Sequence, residues 1–150
     1  MLTYYGVAKA LAIAAHSQQK DKGGECYFKH VERVANRVHG SMWKTVAYLH
    51  DIIEDTPMKL HHLEQAGFTD PILTAVGLLT RSPARGTYAE YIEEIAISGN
   101  IIAIDVKLAD LADNLSSDRA APIPDSLRER YRLAQSRLED ALRQHLTTPR

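Results

Sequence analysis

Apolar residues recur at helical spacing along most of this 150-residue sequence. The spacing of three to four residues places the apolar side chains on one face of a helix. No run alternates between apolar and polar residues as a half-buried strand does. The sequence therefore predicts an all-α fold of about seven or eight helices, at about 2–19, 28–39, 42–56, 60–66, 70–79, 87–98, 100–114 and 126–146.

Turn-forming residues separate these helices. Gly23-Gly24 belongs to a polar loop after the first helix, and Gly67 follows the fourth, where a left-handed residue is usual. Asp70 is a candidate N-cap, with proline at the first helical position. Thr56-Pro57 ends the third helix, because the residue before a proline avoids the helical region. The helix at 42–56 therefore ends in a turn.

Length and composition are typical of one globular domain. We expect a single domain over residues 1–150, with its core at about 3–120 and a C-terminal helix at about 126–146. The net charge is −1, from 18 Lys and Arg against 19 Asp and Glu. With no long run of like charge, a nucleic-acid polymer is not an expected partner. No segment reaches the length of a membrane span, so no membrane partner is expected either.

Cys26 is the only cysteine, which excludes an intramolecular disulfide. A lone thiol fits a reducing compartment, and we expect a cytoplasmic protein. The thiol could be a nucleophile, but a buried structural role is the expected one.

Four ionisable residues interrupt the apolar run at 46–56, namely His50, Asp51, Glu54 and Asp55. On a helix, Asp51 lies three residues and His50 four residues from Glu54, so these side chains share one face. Charge in such a stretch usually meets a metal ion or a partner charge. The alternative is a partly exposed helix end, although the helix dipole disfavours acids there.

Two further residues fit a metal site with His50 and Asp51. Asp110 interrupts a second apolar helix, and His30 lies in the first turn of a helix beside a polar loop. Two imidazoles and two carboxylates, without a thiolate, suit manganese, iron or magnesium better than a structural zinc. Such an ion acidifies its bound water and neutralises phosphoryl charge, which is the chemistry of a phosphohydrolase.

Other polar residues receive lesser roles. Glu54 and Asp55 stand beside the ligands and are candidates to orient or deprotonate water. His16 is expected to support loop structure, and His39 to cap a helix. Surface positions are expected for His61, His62 and His145, and Asp113 is suited to a metal but has no assigned role.

Rival chemistries lack their sequence signals. The Gly23-Gly24 pair has neither the spacing nor the Gly-Lys-Ser/Thr ending of a P-loop, and no Gly-x-Ser-x-Gly elbow occurs. A dinucleotide-binding fingerprint would need a preceding strand, which is not predicted. Metal-dependent hydrolysis is therefore the favoured interpretation.

A series of short motifs runs in order along about residues 10 to 120: Ala15-His16 with Gln19, Lys22-Gly23-Gly24-Glu25, Tyr27 with His30, Leu49-His50-Asp51 with Glu54-Asp55-Thr56, Leu79-Thr80-Arg81, and Val106-Lys107-Leu108-Ala109-Asp110 with Asn114. The series resembles the HD-domain metal-dependent phosphohydrolases. Within them it is similar to the (p)ppGpp hydrolases of the Rel/SpoT type, the small alarmone hydrolases.

The resemblance implies an HD-domain helical bundle and one Mn²⁺, or another divalent cation. It implies release of pyrophosphate from the 3′ position of a guanosine tetra- or pentaphosphate, a small-molecule nucleotide of the stringent response. It also implies three sets of site residues: His30, His50, Asp51 and Asp110 on the metal, Glu54 and Asp55 in catalysis, and Lys22, Asn114 and Ser117 on the substrate.

Three positions depart from the family pattern. The family usually has two adjacent basic residues before Gly23, and the first of them stacks on guanine. Asp21 takes the place of that first residue here. Cys26 replaces a usual proline and Leu111 a usual basic residue. Phosphate hydrolysis should survive these changes better than guanine selection does.

Two alternatives therefore stay open. One is hydrolysis of a different phosphorylated nucleotide. The other is a non-catalytic sensor that binds a nucleotide, against which Glu54 and Asp55 argue. The family's synthetase portion would need a further domain, so hydrolysis alone is expected of these 150 residues. The oligomeric state stays open.

Overall fold

The computed structural model describes residues 4–116 and 122–147. Within these ranges the secondary structure is helical except for an isolated bridge between Lys20 and Cys26. Counting α3 and α4 as one interrupted helix gives eight helices there, which confirms the expected all-α fold. The α-helices are α1 (Tyr4–His16), α2 (Tyr27–Asn36), α3 (Ser41–Leu49), α4 (Ile52–Asp55), α5 (Leu60–Gln65), α6 (Asp70–Leu79), α7 (Tyr88–Ile97), α8 (Ile101–Leu115) and α9 (Asp125–Thr147), with a 3-10 turn at Pro83–Arg85.

Helix α3 lies at the centre of the bundle. It packs against α1, α2, α6 and α8, and its residues 45–49 are all buried. Leu49 is completely buried, and each such side chain contributes about 1.5–3 kcal/mol to folding. This packing fixes the C-terminal end of α3 in the interior of the protein, where His50 follows.

Helix α8 is the second largely buried helix. It packs against α9, α2, α3 and α6. Asp110 and Asp113 are buried in α8, and they share one side of the helix because they are three residues apart. The helix thus carries two acids into the bundle near the start of α2.

Several predicted helix ends are found in the structure. Thr87 and Glu90 form a capping box at the start of α7, in which the Thr87 hydroxyl accepts from Glu90 N and the Glu90 carboxylate from Thr87 N. Gly67 follows α5 with φ of 96°, the expected left-handed conformation. The N-cap of α6 is Thr69, one residue before the predicted Asp70.

The predicted helix at 42–56 is interrupted in the structure. Helix α3 ends at Leu49, and α4 begins at Ile52 after Asp51, whose φ and ψ are −105° and −1°. The Ala47 carbonyl at the end of α3 accepts a hydrogen bond from His50 Nδ1 at 2.6 Å. The interruption turns His50 and Asp51 toward the same point, which a continuous helix would not do.

Helix α9 spans 23 residues, close to the predicted 126–146. It packs against α7 and α8 through buried Ala134, Leu138 and Ala141. Arg137 on its outer side forms an ion pair with Glu93 at 2.7 Å. Neither α9 nor another helix in the described part of the chain is long and apolar enough to cross a membrane.

Candidate metal centre

Four side chains from three parts of the fold meet at one point. His30 comes from α2, His50 and Asp51 from the interruption between α3 and α4, and Asp110 from α8. One ligand atom from each lies within 4.8 Å of those of the other three. His30 Nε2 lies 3.0 Å from Asp110 Oδ1, and His50 Nε2 lies 3.0 Å from Asp51 Oδ2. These are the four residues expected to bind a metal.

The protonation of His50 shows why this cluster suits a cation. Because a carbonyl only accepts, the bond to Ala47 O places the proton of the neutral ring on Nδ1. Nε2 then faces the Asp51 carboxylate with a lone pair, and it is buried without a hydrogen-bond partner in the described residues. Two electron-rich atoms this close need a proton or a metal ion between them. The His and Asp cluster can thus bind a divalent metal ion.

Asp113 forms a hydrogen bond with the ring nitrogen of His30 that points away from the cluster. Its Oδ2 accepts from His30 Nδ1 at 2.6 Å, and its Oδ1 accepts from Arg33 Nε at 2.8 Å. Asp113 is fully buried, yet these two bonds outweigh desolvation and lower its pKa. The arrangement leaves His30 Nε2 free to face the cluster, as a carboxylate behind a metal-binding histidine usually does.

Asp113 could be anticipated in part from the sequence. It follows Asp110 by three residues, so both acids face α2, and its carboxylate is suited to a metal although the sequence assigns it no role. The partner Arg33 gave no sequence signal beyond a charge on the polar side of α2.

Lys107 and Tyr27 contact the two carboxylates of the cluster. Lys107 Nζ lies 2.8 Å from Asp110 Oδ2, and the Tyr27 hydroxyl donates to Asp51 Oδ2 at 2.5 Å. Desolvation opposes ionisation of Asp110, but the Lys107 charge and the histidines hold its pKa well below the usual range. Burial and the Asp51 charge raise the pKa of Tyr27, so its hydroxyl stays a donor.

At Asp51, too, burial and a neighbouring charge act on the pKa in opposite directions. Burial opposes its charge, yet His50 lowers its pKa to about 2. Both acids are therefore carboxylates at neutral pH.

Glu54 and Asp55 extend from α4 beside the cluster. Glu54 Oε2 accepts from Arg81 N at 3.3 Å, and Asp55 Oδ2 accepts from Gln19 Nε2 at 3.2 Å. Partial burial raises the pKa of both acids, and the Asp51 charge adds to this effect. Proximity to the ligands and raised basicity suit them to handle a proton.

Gln19, three residues after the end of α1, connects Asp55 with His16, the last residue of that helix. His16 is fully buried, and its Nδ1 lies 2.7 Å from Gln19 Oε1. Because Asp55 only accepts, Gln19 presents its amide nitrogen to Asp55 and its oxygen to His16. His16 lies outside the metal cluster, in accordance with the structural role expected for it.

The loop at 20–26 is folded around Asp21. Asp21 Oδ1 accepts from the backbone N–H groups of Gly23 and Glu25, at 2.9 and 3.0 Å. Asp21 thus shapes the loop as an Asx turn, a function that its sequence position did not reveal. Cys26, expected to be buried, is exposed instead, because it precedes α2 at the end of this polar loop.

Two cavities adjoin the metal cluster. One of about 230 Å³ lies between the loop and the start of α9, and Lys22 and Asn114 line it. The other, of about 250 Å³, contains Asp51, Glu54 and Asp110 in its wall and shares Asn114 with the first. Asn114 Nδ2 also donates to Asp110 Oδ1 at 3.4 Å. Lys22 and Asn114 therefore border the space beside the cluster, whereas Ser117 lies outside the described residues.

Comparison with known proteins finds this fold among solved structures. The chain is similar to a structure described as a metazoan ortholog of SpoT that hydrolyses ppGpp and plays a role in starvation responses. The two share 24% sequence identity with a TM-score of 0.73, over 95% of this chain and 87% of the other. Neither a protein-family model nor a curated protein sequence matches the chain. The similarity establishes a common fold.

Proposed function

We propose that this protein is a manganese-dependent phosphohydrolase that removes pyrophosphate from the 3′ position of guanosine 3′,5′-bis(diphosphate) or the related pentaphosphate. The observation that carries the proposal is the cluster of His30, His50, Asp51 and Asp110, with the His50 lone pair facing a carboxylate. The neighbour of the same fold is described as hydrolysing ppGpp. A small nucleotide in the cytoplasm is the corresponding substrate.

The metal ligands, the two acids of α4 and the residues of the adjoining cavity have different roles in this reaction. A divalent ion held by the cluster would neutralise phosphoryl charge and lower the pKa of water. Glu54 and Asp55 orient water and accept its proton, for which partial burial and raised pKa suit them. Lys22 and Asn114 contact phosphate and ribose from the adjoining cavity, and Ser117 is proposed to share this task.

The direct test is the product of the reaction. Purified protein with Mn²⁺ should convert guanosine 3′,5′-bis(diphosphate) into guanosine diphosphate and pyrophosphate, which anion-exchange chromatography separates. We expect Glu54→Gln to keep its manganese by elemental analysis but to lower kcat by roughly a hundredfold. Exposed His61→Ala is the matched control and should match the parent. Release of orthophosphate in place of pyrophosphate would contradict the proposal.

A second substrate class has one observation in its favour. Asp21 carries a negative charge where the family pattern has the cation that stacks on guanine. A phosphorylated nucleotide with another base is then the alternative substrate, because phosphate contacts do not depend on this residue. The ratio of kcat/KM between guanosine and adenosine 3′,5′-bis(diphosphates) distinguishes the two. A ratio near one identifies an enzyme that does not select guanine, whereas binding without turnover of either nucleotide identifies a sensor.

A further inference from the structure

The cavity beside the metal cluster extends to an arginine with no role in the proposed catalysis. Arg81 follows α6 and lines this cavity together with the cluster carboxylates and Glu54. The cavity wall also contains a group of tyrosines and one lysine. These residues are Tyr27, Tyr88, Tyr91, Tyr131 and Lys107.

The guanidinium of Arg81 is held in place without an ion pair. Its Cζ lies 5.4 Å from the centroid of the Tyr88 ring, a distance at which a cation is attracted to the ring. Within residues 4–116 and 122–147, no carboxylate forms a salt bridge with it. Glu54, the nearby acid, accepts from the backbone N–H of Arg81. The charge of Arg81 therefore remains available to an anion in the cavity.

The other cation of the cavity is already neutralised. Lys107 Nζ lies 2.8 Å from Asp110 Oδ2 and also approaches the rings of Tyr88 and Tyr91, at 5.9 and 5.4 Å. The Tyr88 hydroxyl, by contrast, is buried and has no hydrogen-bond partner among the described residues. Arg81 and Tyr88 thus offer donors to a ligand, whereas the charge of Lys107 is paired with Asp110.

We propose that Arg81, with the Tyr88 hydroxyl, forms a subsite for the terminal phosphoryl group of a diphosphate whose inner phosphoryl group is at the metal cluster. This inference rests on the proposed function and specifies why the enzyme would release pyrophosphate as a unit. A guanidinium donates two parallel hydrogen bonds to phosphate oxygens, and a ring that holds its plane reduces the entropy lost on binding.

The reaction that this subsite serves balances with water alone. The oxygen of a water molecule bonds to the phosphorus attached to O3′, and the bond between that phosphorus and O3′ breaks. O3′ takes up a proton, and pyrophosphate leaves with the water oxygen. Arg81 contacts only the outer phosphoryl group, so it should favour a diphosphate over a single phosphate at the 3′ position.

Arg130 provides a matched control. Its Cζ lies over the same Tyr88 ring at the same 5.4 Å, but it lines the outer groove between α7 and α9. Arg81→Gln and Arg130→Gln therefore each remove one cation from Tyr88. Only the first removes a cation from the metal cavity.

The experiment is calorimetric titration of the manganese-loaded protein, with no free metal, using inorganic pyrophosphate and then orthophosphate. For Arg81→Gln we expect the pyrophosphate Kd to rise at least tenfold and the orthophosphate Kd to stay within twofold, with unchanged manganese content. Arg81→Lys should recover part of the loss, and Arg130→Gln should match the parent. Equal losses for the two anions, or an equal loss in Arg130→Gln, would overturn the proposal.

This test is separable from that of the proposed function. Binding of pyrophosphate is measured without turnover, so an inactive protein with selective pyrophosphate binding would refute the hydrolase and keep the subsite. An active 3′-pyrophosphohydrolase in which Arg81→Gln changes neither binding nor KM would keep the function and refute the subsite.

Discussion

His30 is prepared for metal binding by a residue that does not touch the metal position. The Asp113 carboxylate accepts from His30 Nδ1, while Arg33 donates to both of its oxygens. This fixes the tautomer of His30 and makes its Nε2 a better ligand. The buried charge of Asp113 is itself tolerable because these two partners satisfy it.

Asp113→Asn should therefore weaken metal binding without abolishing it. The amide oxygen can still accept from His30, but the charge and one contact with Arg33 are lost. We expect the manganese Kd to rise by roughly tenfold, with kcat at saturating manganese within about threefold of the parent. Asp105→Asn is the control, because Asp105 lies on the same helix and accepts from Trp43. An unchanged manganese Kd in calorimetric titration would remove Asp113 from the site.

Gln19 gives a second prediction for a single residue. Its amide connects buried His16 with Asp55, and an apolar Leu removes both hydrogen bonds. Since Asp55 then loses one support of its orientation, we expect Gln19→Leu to lower kcat about tenfold. KM and manganese content should stay within twofold.

Exposed Gln18→Leu serves as the control, with kcat expected to equal that of the parent. If Gln19→Leu lowers only the melting temperature and leaves kcat intact, the bridge is structural alone.

At the scale of helices, most elements are predictable because each carries its own apolar face and end signals. Thr87 and Gly67 fix the ends of α7 and α5 through local chemistry. The interruption at His50 and Asp51 is different. It depends on a side-chain bond to Ala47 and on contacts with α2 and α8, which a helical pattern does not encode.

In the site, too, the sequence predicts the candidate residues, whereas their contacts depend on helices that are far apart along the chain. Residue type and position in apolar helices singled out His30, His50, Asp51 and Asp110. Their meeting required the packing of α2, α3 and α8, which are separated along the chain. The contacts of Asp113 with α2 and of Gln19 with Asp55 are also set by tertiary structure, so these partners could not be read from the sequence.

Gly86 lies in the connection between α6 and α7, and its substitution tests how that connection is stabilised. Its φ is 80°, and an added Cβ would collide with the Glu90 carboxylate that caps α7. Gly67 has a similar φ of 96° but open space around its Cβ position. Gly67→Ala should thus cost only the strain of the left-handed conformation, about 1–2 kcal/mol.

Gly86→Ala should cost more, roughly 2–4 kcal/mol, because φ of 80° with ψ of −148° is a conformation that glycine alone adopts readily and the capping contact is lost as well. Urea unfolding of the two variants measures the difference. Equal losses would show that neither the backbone conformation of Gly86 nor the displaced Glu90 cap carries an extra cost.

For the whole molecule, the metal cluster makes stability depend on pH and metal together. In the metal-free protein, burial opposes charge on both histidines. Asp110 and Asp113 outweigh it and raise the pKa of His30, and Asp51 and Asp110 do the same for His50. His50 lowers the pKa of Asp51 to about 2. Without a metal ion, protons on the two histidines therefore neutralise the carboxylates of the cluster.

The signs of these shifts define a pH window for the metal-free protein. A raised histidine pKa stabilises the fold fully below the unfolded value of 6.5, and this contribution is lost as pH rises through the folded pKa. A lowered Asp51 pKa stabilises the fold above the unfolded value of 3.8, and this contribution is lost as pH falls toward about 2. Metal-free protein should therefore be most stable at about pH 5–6.

Manganese should remove the alkaline side of this dependence, because the ion takes the place of the protons that leave the histidines. We expect the melting temperature with chelator to fall between pH 6 and pH 9, by about 2–4 °C for each kcal/mol lost. Saturating Mn²⁺ should raise it more at pH 8 than at pH 5.5. Scanning fluorimetry across this range, with His50→Ala as the control, measures both effects. The control should lose most of the manganese increment at pH 8, and an equal increment at both pH values in the parent would contradict proton displacement from this cluster.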